Sequence, residues 1–437
     1  MAHHQLKKSL SAQALINTVY KEFSKIPNPR PIGEKTRIPL TDHLMAGLAI
    51  FGLKFPSLLQ YDRKRKNPPI ERNLKNLYLV QSPPSDTYLR ECLDEVDPMS
   101  LRPAFKKLFA SLQRGKQLEK FEFFEGQYLL SIDGTGEFSS GKIGCKQCCV
   151  KQRRSGKVTY YHQMLGGCIV HPDQSNVIPL CPEMIQKGDG DKKNDCERNS
   201  AKRFIKHFRR EHPHLKVIVV EDALGSNGPH LTLLETNNMK YIIGAKPSDH
   251  VYLFEQAEKS DKTQYHEIYD DKDTLHQFSF TSDLPLNKTY PNLKVSLIEY
   301  RETRKNGKEL NFSWVTNIPV TKENIYCLMR GGRARWKIEN ETFNTLKNLG
   351  YHFEHNFGHG KEYLASVFCL LMVLSFLIDQ IQEISCSLYR SMKDFAGTYR
   401  ALWEQMRTLF QYVTAESWEE FYQLTANKRG FVPYDTS

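Results

Sequence analysis

The chain has 437 residues, length enough for roughly two to four domains of ordinary size. Its apolar fraction of 40%, with 24 Phe and 21 Tyr, supplies a large core and excludes a wholly disordered chain. A formal net charge of +11 points to a polyanionic partner, most often nucleic acid, although a merely basic soluble protein has the same balance.

The N-terminal MAHHQLKKSL has no apolar h-region, so no secretory signal is expected. Residues 1–120 read as a helical, DNA-binding region. Ser11 is placed to cap a helix with Ala12, Leu15, Ile16, Val19, Tyr20 and Phe23 at a 3.6-residue period. Thr41 and Asp42 precede a second helix, Leu44 to Leu53, and Pro83, Pro84 and Ser85 open a third. Leu101, Phe105, Leu108, Phe109 and Leu112 supply a fourth. Between the second and third lies YDRKRKNPPIERNLK, expected to be a basic, Pro-interrupted loop that either touches phosphates or is a solvated linker.

The pattern then changes. Gln127 to Ile132 reads as a strand ending at Asp133-Gly134, followed by strands at Val158–Val170 and Asn176–Cys181. Asn199–Arg210 reads as a basic helix, Lys216–Val220 as a buried strand stopping at Glu221-Asp222, His230–Glu235 as a helix and Tyr241–Ile243 as a strand. Strands alternating with helices predict an α/β core. Residues 247–317 break that rhythm with short β-like runs at Tyr252–Phe254, Leu293–Tyr300 and Phe312–Val315, read as a β-rich insertion. From Thr321 onward the chain is mostly helical. Its most apolar run, Leu364 to Ile378, ends at Asp379, is short for a membrane span and fits a buried core helix.

Asp133 and Asp222 follow apolar runs at predicted strand ends, where active-site groups of α/β sheets collect. Glu339 lies on a predicted helix in Arg335-Trp336-Lys337-Ile338-Glu339. Three carboxylates in one cleft would hold protons unless cations bound between them, and hard Mg²⁺ suits oxygen donors. Taken singly, each acid has a plain alternative: a turn for Asp133, a helix cap for Asp222, an i,i+4 ion pair with Arg335 for Glu339. Their order is more specific: strand–Asp, strand–Asp, β-rich insertion, helix–Glu.

Five segments in that order resemble a known family: SIDGTGEF (131–138), YYHQMLGGCIVHPDQSNVIPLCPE (160–183), DCERNSAKRF (195–204), VIVVEDALGSNGPHL (217–231) and RARWKIENETFNTLKNLGYHFEHNFGHGK (333–361). Over residues 40–385 the chain resembles the DDE transposases of bacterial insertion sequences, in the cut-and-paste branch. The resemblance implies a ribonuclease-H-like core at 121–246, the insertion at 247–317, core completion with the catalytic Glu helix at 318–385, and a helical C-terminal region at 386–437. It implies Asp133, Asp222 and Glu339 as ligands of Mg²⁺, with Mn²⁺ as substitute. It also places Arg335 and Lys347 in a Y-R-E-K signature that holds DNA phosphates, with Arg333, Lys337 and Trp336 as neighbouring DNA contacts.

The expected partners are double-stranded DNA, both element ends and target, and a second copy of the chain. No membrane is expected, and the compartment is a bacterial cytoplasm. A nuclease without strand transfer and a non-catalytic DNA-binding derivative remain alternatives. The sequence departs from the signature in two places. Its Tyr position falls on Gly332, and Lys347 follows Glu339 by eight residues instead of seven. Either the helix register differs or Glu341 is the third acid; Glu221 likewise rivals Asp222.

Ten cysteines are expected to be reduced thiols. Cys145-x-x-Cys148, with Cys149 adjacent and His162 further on, is half of a zinc pattern. The second close pair is missing, so free thiols in a hairpin are the preferred reading. His352, His355 and His359 could bind a metal, but loop packing or DNA contact is the preferred reading. Asp189-Gly190-Asp191 lacks the later ligands of a calcium loop. Trp314 and Trp336 lie among basic residues and either stack on an unpaired base or pack in the core.

Overall fold

Val217–Glu221, buried along its whole length, lies at the middle of the sheet, where a strand needs apolar side chains on both faces. The computed structural model describes residues 9–30, 37–187 and 196–426. Within them the strands are β1 (Glu122–Phe124), β2 (Gln127–Ser140), β3 (Cys149–Gln152), β4 (Val158–Val170), β5 (Ile178–Pro179) and β6 (Glu183–Ile185). Then follow β7 (Val217–Glu221), β8 (Lys240–Gly244), β9 (Gln264–Tyr269), β10 (Leu275–Asn287), β11 (Tyr290–Thr303) and β12 (Glu309–Thr316). Asp189-Gly190-Asp191 falls outside the described residues.

The protein is a mixed α/β structure around one mostly antiparallel sheet, ordered β3-β4-β2-β7-β8-β12-β11-β10-β9. β2 pairs antiparallel with β4, while β7 runs parallel to β2 and β8 parallel to β7. β5 and β6 join β3 along the far side of β4. The helices Glu197–Glu211 and Gly228–Thr236 make the crossovers that the parallel pairs require.

Residues 247–317 differ from their expected form in two ways. Tyr252–Phe254 belongs to the helix Val251–Glu258. The β9–β12 meander is also not set apart from the core, because β12 hydrogen-bonds to β8 and extends the same sheet. Asp133 requires a further correction. The apolar half of β2 ends there, but the strand runs on to Ser140, so Asp133 is a mid-strand residue opposite Gly166. The expected strand Asn176–Cys181 shrinks to the two residues of β5, with β6 following.

The helices of the two ends of the chain pack together. Leu364–Ser385 is apolar around its whole circumference because other elements surround it. It is the one helix among the described residues long and apolar enough to cross a membrane, and nearly all of it is buried. Helices Leu40–Gly52 and Arg102–Arg114 lie against it, and the C-terminal helices pack on the N-terminal ones. The expected basic loop after Leu53 is two helices, Leu58–Lys64 and Pro68–Tyr78. Pro68 and Pro69 occupy the first helical turn, where a missing N–H costs nothing. Two of its basic side chains reach the C-terminal region, Lys64 Nζ donating to Gln411 at 2.6 Å and Arg72 pairing with Glu416 at 2.7 Å, while Arg63, Lys66 and Lys75 are exposed. Asp42 likewise lies inside a helix that begins at Leu40, and its carboxylate accepts the Ser82 N–H at 2.8 Å.

Candidate active site

Gly166 lets Asp133 and Glu339 approach. A Cβ on Gly166 would stand 2.9 Å from the Phe343 ring, so bare backbone here allows the turn carrying Glu339 to lie against β4. That turn, Ile338–Phe343, is a π-helix. The Ser131 hydroxyl, two residues before Asp133, donates to the Arg335 carbonyl at 3.1 Å and ties the approach to β2.

Arg335 stands between the two acids. Its Nη1 donates to Glu339 Oε1 at 2.6 Å and to Asp133 Oδ2 at 3.2 Å, so one guanidinium occupies the place of a cation shared by two carboxylates. Burial pushes the Asp133 carboxyl up to about 7. The Gly134 N–H and the Arg335 charge oppose the rise, and neighbouring Glu339 adds to it. Glu341, the rival acid, lies instead near Tyr399, whose pKa is raised by burial, by Glu383 and in smaller part by Glu341.

Asp222 begins where β7 ends. It is exposed, and its carboxylate accepts the Leu224 N–H at 2.9 Å, capping the turn Ala223–Gly225. It lines a cavity of about 520 Å³ together with Asp133 and Glu197, and another of about 850 Å³ together with Arg335 and Trp336. Glu221 lines the same two cavities but is buried, its carboxylate 2.7 Å from the buried His230 Nε2. Burial lowers the His230 pKa, but the Glu221 charge and its hydrogen bond together more than offset this and leave it raised.

Glu197 is a fourth acid at the cleft that the sequence reading passed over, because it begins a helix read as basic. Its carboxylate lies against Gly134, and its pKa is raised by burial and then by the charge of Asp222. The apolar run before Asp133 could not reveal it; only the packing of the helix across β2 does.

The π-turn accounts for the spacing of Lys347. On an α-helix eight residues overshoot a face by about 80°, whereas seven fall short by about 20°. A π-turn takes about one extra residue per turn, so a seven-residue spacing on an α-helix corresponds to about eight residues across this turn. Lys347 Nζ lies 2.9 Å from Glu354. At Gly332, where the resemblance would put a Tyr, a Cβ would meet Trp314 Nε1 at 2.7 Å.

The other expected DNA contacts divide. Trp336 is 52% exposed, with the Arg335 guanidinium 5.8 Å from its ring centroid. Trp314 is buried and stacks on Phe312, so it is a core residue. Arg333 pairs with Glu302, and Lys337 Nζ donates to the Gln174 carbonyl at 2.7 Å. On the helix Glu197–Glu211, Lys202, Lys206 and Arg210 form an exposed row at i, i+4 and i+8.

Carboxylates of Asp133, Glu197 and Asp222 line one cavity, beside His230, Cys196 and Asn227. A hard divalent cation of the Mg²⁺ or Mn²⁺ kind would suit the carboxylates of desolvated Asp133 and part-exposed Glu339, which share one guanidinium. No protein-family model and no curated protein sequence matches the chain.

Proposed function

We propose that the chain is a DDE-type DNA transposase on a ribonuclease-H-like core, with Asp133, Asp222 and Glu339 as its metal-binding acids. The observation that carries this reading is the meeting of Asp133 and Glu339 around Arg335, with Asp222 at the end of the adjacent parallel strand. The strand order supports it: three antiparallel positions (β3/β5/β6, β4, β2) followed by parallel β7 and β8. The β9–β12 meander falls between β8 and Glu339 in sequence, as the family resemblance implies.

Asp133, Asp222 and Glu339 hold Mg²⁺, with Mn²⁺ as substitute. When bound, such cations supply activation of a water or 3′-hydroxyl and stabilisation of the leaving oxygen in an in-line displacement. Arg335 keeps the two facing acids together before DNA arrives, then offers its planar guanidinium to a phosphate. Trp336, exposed beside it, stacks on an unpaired base. Lys347 supplies a point charge to the DNA backbone, and the row Lys202, Lys206 and Arg210 does the same from the helix that starts at Glu197. Two element ends require two copies of the chain on DNA.

The test uses linear DNA carrying the sequences that flank the protein's own gene, a supercoiled target plasmid, and Mg²⁺. The wild type is expected to cut the ends and join them to the plasmid. Asp133→Ala, Asp222→Ala and Glu339→Ala should give no product while still binding DNA with an affinity that falls steeply with salt. Cutting without joining would favour the nuclease reading. Wild-type product from all three variants would remove these acids from the mechanism.

A further inference from the structure

Two cysteines and two histidines from three stretches of chain meet beyond the acid cleft, along the outer half of the β2–β4 ladder. Cys145 and Cys148 lie in the turn between β2 and β3, and His162 sits on β4 opposite Phe138. His359 arrives from the loop after the Glu339 helix, its ring centroid 4.4 Å from that of Phe138. The two sulfurs are 3.8 Å apart. His162 Nε2 is 3.2 Å from Cys145 Sγ and 3.3 Å from Cys148 Sγ, and His359 Nε2 is 3.1 Å from Cys148 Sγ. All four donor atoms lie within 4.8 Å of one another, and three of the four residues are buried.

These distances are close to the edges of a metal tetrahedron. Zinc bonds of about 2.3 Å to sulfur and about 2.0–2.1 Å to nitrogen give edges of about 3.8 Å for S–S and about 3.5 Å for S–N. The sulfur pair matches, and the mixed pairs fall a few tenths of an ångström short. A disulfide needs about 2.05 Å between sulfurs, so the pair is not one. Thiols are weak hydrogen-bonding groups, so they give little reason of their own for four such side chains to converge.

We propose that Cys145, Cys148, His162 and His359 bind a structural Zn²⁺. Four protein donors close its coordination shell and leave no position for catalysis, and mixed thiolate and imidazole donors select zinc over the hard cations suited to the acid cleft. The ion fastens the turn around Cys145–Cys148 to the loop around His359. The same junction carries a backbone hydrogen bond of 3.0 Å from Lys146 N–H to the Lys361 carbonyl, and the ion pair of Lys146 with Glu362. One side of this junction continues from β2 and β4, which carry Asp133 and Gly166, and the other from the segment that carries Glu339. The zinc thus holds the two halves of the cleft in register, whatever chemistry the acids perform. Free thiols in a hairpin, the preferred sequence reading, overlooked His359 because it lies 211 residues beyond Cys148.

The full chain, purified without chelator, is expected to carry about one zinc per chain by elemental analysis. Replacement by Co²⁺ should give the thiolate charge-transfer and tetrahedral d–d absorption bands. Cys148→Ser and His359→Ala should lower zinc content at least tenfold, whereas Asp133→Ala should keep it. If those variants fail to fold, the cobalt spectrum of the wild type decides. Wild-type protein with neither zinc nor a cobalt–thiolate spectrum on titration would overturn the site. So would folded Cys148→Ser and His359→Ala proteins that retain full zinc. Stripping the metal should speed tryptic cleavage after Lys361, and an unchanged rate would overturn the fastening role.

Discussion

Asp133 shows how one carboxyl can report on the cleft. Its pKa in the folded protein, about 7, lies above the roughly 3.9 of an unfolded Asp. Between those values the folded state binds more protons, so Asp133 contributes stability at low pH that is lost as pH rises toward about 7. With Mg²⁺ removed by dialysis without chelator, the wild type should therefore lose thermal stability from pH 5 to pH 8, and Asp133→Asn should lose less. Added Mg²⁺ should restore the wild type most at the upper end of that range, because cation binding displaces the proton. A melting profile equally steep in Asp133→Asn would show that other groups set the slope. Gly332 permits a simpler test of the vacant Tyr position. Gly332→Ala would press on Trp314 and Ile242 and should cost about 1–3 kcal/mol in denaturant unfolding. Asp133 and Asp222 drew attention in the sequence because an apolar run stops at each. Glu197 and the glycine at position 166 were not, since both act through packing between distant segments.

At the scale of elements, the π-turn is the feature that sequence periodicity misses. Ile338–Phe343 has apolar residues at Ile338 and Phe343, five apart, where an α-helix would want three or four. If the turn absorbs one surplus residue, deleting exposed Asn340 should let the segment close as ordinary α-helix with Phe343 and Leu346 still on the core side. That deletion should cost no more than about 2 kcal/mol by chemical denaturation. Deleting Ser375 from the regular helix Leu364–Ser385 should prevent folding, because it turns half of a fully packed helix by about 100°. Comparable losses for the two deletions would remove the register argument. The meander shows a second limit of pattern. Leu293–Tyr300 and Phe312–Val315 were read correctly as strands, but nothing in their alternation says that β12 joins β8. Register between separate segments is a tertiary property.

Across the whole molecule, the fold depends on joining the two ends of the chain around Leu364–Ser385, and one buried charge cluster records how. The apolar run stops at Asp379, which in the sequence marked the end of the core segment, yet the helix continues to Ser385. Asp379 is accommodated because Lys54, 1% exposed, comes to it from the N-terminal helices. The Lys54 ammonium also donates to the Gly52 carbonyl at 2.8 Å and sits 3.8 Å from the Trp403 ring centroid, on a C-terminal helix. Tyr351, from the loop after the Glu339 helix, donates its hydroxyl to the same carboxylate. Three regions that the sequence reading kept apart as N-terminal, core-completing and C-terminal thus share one buried network. Removing one charge strands the other away from water, and such broken pairs cost about 3–5 kcal/mol. Asp379→Asn should therefore destabilise the whole chain by about that amount in one cooperative transition. Lys54→Met with Asp379→Leu should recover much of the loss, since neither charge is then left buried. A double variant no more stable than Asp379→Asn would mean that the cluster acts by shape instead of charge. An Asp379→Asn protein whose C-terminal helices unfold in a separate, earlier step would mean that the ends of the chain are joined less tightly than their packing on Leu364–Ser385 implies.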